Sequence, residues 1–197
     1  MATVISPPSI TASSASRAIS ARSLEIDGAN FDPTAAGNSV VLDRDAVATV
    51  SSATSTSLSL TYTTLPMSTG NLTAVVSSFG VSSGQTQVAT VVADPTVSPT
   101  STTTSRNAAK ILVTGTGFDA ATPSANIVAL SRGAAGTVTA ANATSLTVTI
   151  TTPPTSAGAL TAVVSANGGT SGSPVQVANI VSTPAYNWCV FFSDLFF

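Results

Sequence analysis

The sequence contains no histidine, a single cysteine and, at Lys110, a single lysine. Each scarcity excludes something. Without histidine there is no Ser–His relay and no imidazole ligand for a transition metal. Cys189 has no second thiol for a disulfide and no histidine to activate it. Charged residues make up 7% of the chain, against roughly 25% in an ordinary soluble domain. The formal net charge is -2, and no basic stripe exists to meet phosphates, so nucleic acid is not an expected partner. No stretch approaches the roughly 20 apolar residues that cross a bilayer, so no membrane span is expected. Met1 is followed by Ala-Thr-Val-Ile-Ser-Pro-Pro, without the charged and apolar regions of a secretory leader. That fits either a mature or partial product or an intracellular protein. Carboxylates pair only as Asp43 with Asp45, in a solvated loop, and Glu25 with Asp27, on the outer face of a strand. This acid–base inventory predicts no enzyme.

What is present is β-forming. Hydrophobic residues account for 43% of the chain and Ser plus Thr for close to a third, a composition that supplies core and a neutral, hydroxyl-rich surface. Residues 142–154, Asn-Ala-Thr-Ser-Leu-Thr-Val-Thr-Ile-Thr-Thr-Pro-Pro, are echoed by residues 54–66 at an offset of 88. In both copies apolar side chains alternate with hydroxyls: Leu58, Leu60 and Tyr62, then Leu146, Val148 and Ile150. A period of two predicts a half-buried strand, which the following proline ends.

The repeat extends further. Residues 38–84 and 126–172 agree at 26 of 47 positions, including Asn38/Asn126, Arg44/Arg132, Gly70/Gly158 and Gly84/Gly172. Strands are predicted around Ser23–Ile26, Ser39–Leu42, Ala48–Ser51, Leu58–Thr63, Leu72–Ser77 and Val88–Val92, separated by glycine-containing turns. Six or seven short strands per repeat, without a helical period beyond single turns, predict an all-β protein of two tandem two-sheet sandwiches. Ile5-Ser6-Pro7 and Val97-Ser98-Pro99 open the two units, and Val181-Ser182-Thr183-Pro184 has the same character. Asp94-Pro95 makes a short, stiff linker. The expected divisions are 1–93, 94–183 and a C-terminal segment, 184–197.

Gly28-x-Asn30-Phe31 and Gly115-x-Gly117-Phe118, each followed by the alternating strand, a proline, a glycine and a valine-rich strand, resemble the IPT/TIG family. The resemblance covers both repeats and implies immunoglobulin-like (Ig-like) sandwiches of the kind found in surface and extracellular proteins. It brings no shared catalytic residues. The chain lacks the disulfide of some members and the basic loops of DNA-binding ones.

No cofactor is expected. Structural calcium has the best oxygen ligands in Asp27, Asp32, Asp94 and Asp119, yet no Asp-x-Asp-x-Asp-Gly loop is present, and Asp32 and Asp119 equally suit Asx-turns. Asn71-Leu-Thr73 and Asn142-Ala-Thr144 are N-glycosylation sequons beside expected turns, so covalent glycans are candidate partners. Ser98–Ser105 and Ser51–Ser59 suit O-glycosylation. Six of the ten aromatic residues crowd the last 13 positions: Tyr186, Trp188, Phe191, Phe192, Phe196 and Phe197. Such side chains anchor interfaces, either on the second domain or on a neighbouring molecule, and Val4 and Ile5 are candidates for a strand exchanged at the other end. The expectation is a non-enzymatic subunit of an extracellular or cell-surface filament, formed head-to-tail from its own copies. The alternative is an adhesion module that binds glycan or protein.

Overall fold

The computed structural model describes residues 6–182. Val4, Ile5, Tyr186, Trp188, Phe191, Phe192, Phe196 and Phe197 therefore lie outside the described residues, as does Cys189. The first unit has nine strands: β1 (Ser9–Ile10), β2 (Ser16–Ala18), β3 (Ser23–Ala29), β4 (Asn38–Leu42), β5 (Val47–Ala53), β6 (Ser57–Thr64), β7 (Gly70–Ser78), β8 (Val81–Ser82) and β9 (Thr86–Val92). The second repeats them in order: β10 (Thr96–Val97), β11 (Thr103–Ser105), β12 (Lys110–Thr116), β13 (Ile127–Leu130), β14 (Ala135–Asn142), β15 (Ser145–Thr152), β16 (Gly158–Ala166), β17 (Gly169–Thr170) and β18 (Val175–Val181). The only helical pieces among the described residues are single 3-10 turns at Ala35–Gly37 and Pro123–Ala125.

Each unit is a sandwich. Sheet β1-β3-β6-β5 faces sheet β2-β9-β7-β4, and β10-β12-β15-β14 faces β11-β18-β16-β13, with β8 and β17 added beside β7 and β16. The first strand of each unit is divided between the sheets: β1 and β10 run antiparallel to β3 and β12, whereas β2 and β11 run parallel to β9 and β18. The duplication reaches the irregularities. Register shifts fall between Val50 and Ser52 and between Val138 and Ala140, and again between Leu72 and Thr73 and between Leu160 and Thr161.

The alternating strand is central in its sheet, and its inward residues Leu58, Leu60, Leu146 and Val148 are each 0% exposed. They belong to two separate cores, one per unit, completed by Leu72, Val76 and Ile26 in the first and by Leu160, Val164 and Val113 in the second. The Gly-x-(Asn/Gly)-Phe motif has a physical basis here. Phe31 and Phe118 are core residues, and a side chain on Gly28 or Gly115 would strike the Ser9 or Thr96 carbonyl and the aromatic ring. Between them, Asn30 and Gly117 turn the chain with φ of 61° and 74°.

The structure corrects one register. Thr96–Val97 pairs with Thr116 and Gly115 as Ser9–Ile10 pairs with Ala29 and Gly28. Pro8 is thus the counterpart of Pro95, and Val97 of Ile10. Val97-Ser98-Pro99 lies within the second unit rather than opening it, because strand pairing makes Ile10, not Ile5, the equivalent of Val97.

Candidate functional site

At the joint between units, residues from distant stretches converge outside the cores. Three residues, Ala93 to Pro95, connect β9 to β10. The Asp94 carboxylate turns back to the first unit, where Oδ1 accepts from the Ser20 amide (3.2 Å) and hydroxyl (2.6 Å). The β16–β17 hairpin of the second unit, Asn167-Gly168, sits on the turn that follows β2. There the Ala18 amide donates to the Asn167 carbonyl at 2.8 Å. Asn167 Nδ2 reaches the Gly117 carbonyl at 3.4 Å, which ties the hairpin to the motif turn of its own unit.

Small residues make this approach possible. A Cβ on Gly169 would run into the Ala18 Cβ and stand 2.7 Å from Asp94 Oδ1, and one on Gly168 would be 3.1 Å from the Ala21 Cβ. Gly117 likewise lets the linker lie close, since a Cβ there would be 3.0 Å from the Pro95 Cα. Ala18 and Ala21 are each only 3% exposed. Grooves flank the joint: one of about 480 Å³ lined by Arg22, Ala125, Ile127 and Ser165, another of about 680 Å³ lined by Ser16, Arg17, Asp119 and Ala121. Neither holds a convergent catalytic set. Among the described residues every fully buried side-chain polar atom has a hydrogen-bond partner, and no three His, Cys, Asp or Glu residues gather.

Of the four candidate calcium carboxylates, Asp32, Asp94 and Asp119 accept hydrogen bonds within the fold. Asp32 Oδ1 accepts from the Thr34 amide at 2.8 Å, and Asp119 Oδ1 from the Ala121 and Thr122 amides at 3.0 and 2.8 Å, so both close Asx-turns. Asp94 is held by Ser20, and Asp27 lies exposed on the outer face of β3. Asn71 and Asn142 are both exposed, near the start of β7 and at the end of β14. Asn142 Oδ1 accepts from the Thr144 and Ser145 amides at 2.9 and 2.8 Å, which leaves Nδ2 outside those bonds.

The joint residues were missed because their pattern is one of disagreement between the repeats. Asn167 and Gly169 stand where the first unit has Phe79 and Val81.

No protein-family model and no curated protein matches the chain. Among solved structures, it is similar to the Plexin A4 full extracellular region, domains 1 to 10, with a TM-score of 0.61 at 10% identity. That match covers 89% of this chain and 16% of the plexin chain. Surface-layer protein SbsC, domains 5–6, aligns at a TM-score of 0.33 and 15% identity, over 91% of this chain and 99% of that one. SGBP-B of the Bacteroides ovatus mixed-linkage glucan utilization locus, in complex with a heptasaccharide, aligns at 0.32 and 13% identity, over 89% and 46%. The plexin match is one of fold alone: the chain is a tandem of Ig-like β-sandwiches. No helix among the described residues is long and apolar enough to cross a membrane.

Proposed function

We propose that this protein is a non-enzymatic structural unit of an extracellular or cell-surface assembly, built head-to-tail from copies of itself. The observation that carries the reading is the joint. Two sandwiches share a three-residue linker, a backbone hydrogen bond between units and glycine contacts that leave no room for a side chain. Such a joint transmits force and fixes direction, which a repeating mechanical element needs. The terminal segments, with Val4 and Ile5 at one end and Tyr186, Trp188, Phe191, Phe192, Phe196 and Phe197 at the other, contribute anchors between copies. No metal or cofactor takes part. N-glycans at Asn71 and Asn142 supply the solubility that so few charges do not.

Electron microscopy of the full chain beside a chain ending at Pro184 tests this. Regular fibres from the full chain, lost on shortening, are the expected result; monodisperse particles in both samples contradict it. The second reading, an adhesion module, is favoured by Phe79, which stands 48% exposed at the β7–β8 hairpin tip. Phe31 and Phe118 offer it nothing, since both are buried in the cores. Monodisperse particles that bind an immobilised glycan panel are its signature.

A further inference from the structure

Every unit carries two complementary pieces, a two-residue hairpin and a turn after the parallel strand. The internal joint uses the hairpin of the second unit and the turn of the first. One hairpin and one turn are left over, Ser78–Ser82 in the first unit and Ser105–Ala108 in the second. Both keep the geometry of their joined counterparts. Phe79 and Gly80 have φ of 52° and 78°, against 54° and 82° for Asn167 and Gly168. In the unused turn the Ala108 amide donates to the Ser105 carbonyl at 3.0 Å and the Arg106 amide to the Val181 carbonyl at 3.0 Å. The used turn has Ala21 to Ala18 at 2.9 Å and Ile19 to Val92 at 2.8 Å. Burial separates them. Ala18 and Ala21 are covered, whereas Ser105 and Arg106 are exposed and Ala108 half-buried. At the unused hairpin Phe79 and Val81 are 48% and 39% exposed, and nothing lies within 4 Å of where a Gly80 side chain would start.

We infer that the Phe79–Val81 hairpin of one copy docks on the Ser105–Ala108 turn of another, so that copies join in the same sense as units join within the chain. The inference rests on the self-assembling reading above and names the surfaces. The two surfaces differ, so neither is its own partner, and the contact is not exhausted at a dimer. The side chains indicate how it differs from the internal joint. Gly169 admits close backbone approach; Val81, in the same place, holds the backbones further apart. The Phe79 ring, Val81 and the Ala108 methyl fill that space. Apolar side chains at a hairpin tip, where Asn and Gly are usual, are covered by the contact.

Complementation in the full chain tests it. A hairpin variant, F79D with V81D, keeps the turn; a turn variant, S105D with A108D, keeps the hairpin. Each alone is expected to associate at least tenfold more weakly than the parent, and an equimolar mixture to recover a one-to-one dimer that grows no further. That recovery also shows that both variants are folded. A photo-reactive phenylalanine analogue at position 79 is expected to cross-link between copies to Ser105–Ala108. Parent-like association of the variants, a mixture that recovers nothing, or cross-links that map elsewhere would each overturn this contact while leaving self-assembly intact. A parent chain that stays monomeric at high concentration would instead overturn the reading on which it rests.

Discussion

Arg44 and Arg132 occupy the same place in their units, and each closes one end of a sandwich. Both adopt positive φ, 56° and 59°, at a turn between strands. The Arg132 guanidinium donates to the Ala159 carbonyl (2.6 Å), the Ser156 hydroxyl (2.7 Å) and the Ala157 carbonyl (2.7 Å). Arg44 does the same to Asn71, Ser68 and Thr69 at 2.6, 2.8 and 2.6 Å. Gly70 and Gly158 are required opposite by their φ of 116° and 114°, a conformation that residues with a side chain rarely adopt. Arg132→Ala is expected to cost the second unit about 1–3 kcal/mol, read as a lower melting transition for that unit, with the first unchanged. Tyr62 gives a pH dependence. Burial raises its phenol from 10.0 to about 12, partly opposed by Arg17. The unfolded chain then ionises first, so Tyr62 contributes stability that is complete below pH 10.0 and lost as the pH rises towards about 12. Stability measured across that range should fall less steeply in Tyr62→Phe.

At the scale of elements, the long strands were legible because their signal is periodic and local. Leu58/Leu60 and Leu146/Val148 alternate with hydroxyls, and each pair lies in the core of a central strand. The expected span Leu72–Ser77 grew to Gly70–Ser78, and Val88–Val92 to Thr86–Val92, a matter of ends. The strands β1, β2, β8, β10, β11 and β17 were not foreseen. Each has two or three residues, too few for a period to show, and exists because a neighbour offers an unpaired edge. Buried Asn38 and Asn126 were visible only as identities. Their amides hold the loop before β4 and β13, with Asn126 Nδ2 donating to the Asp119 carbonyl at 2.8 Å and Oδ1 accepting from the Asp119 amide at 2.8 Å. That role depends on contacts across six or seven residues of irregular chain, which no strand or helix pattern encodes.

At the scale of the molecule, the proposed function lies in how units meet. Gly169 is the sharpest probe of the internal joint, because its partners Ala18 and Asp94 belong to other parts of the chain. Gly169→Val is expected to open the joint, seen in small-angle scattering as a larger radius of gyration, while both cores melt as before; an unchanged profile would mean that the joint is not set by this contact. The candidate site itself was only half legible. The stiff Asp94-Pro95 linker could be read from sequence, but not that Asp94 grips Ser20, a contact 74 positions away along the chain. The proposed assembly of the protein from its own copies has no stopping point. Sedimentation velocity of the full chain over a hundredfold range of concentration tests this most directly. A boundary that moves faster and broadens continuously as concentration rises is the expected result; a single monomer boundary, unchanged from the lowest concentration to the highest, would contradict the assembly.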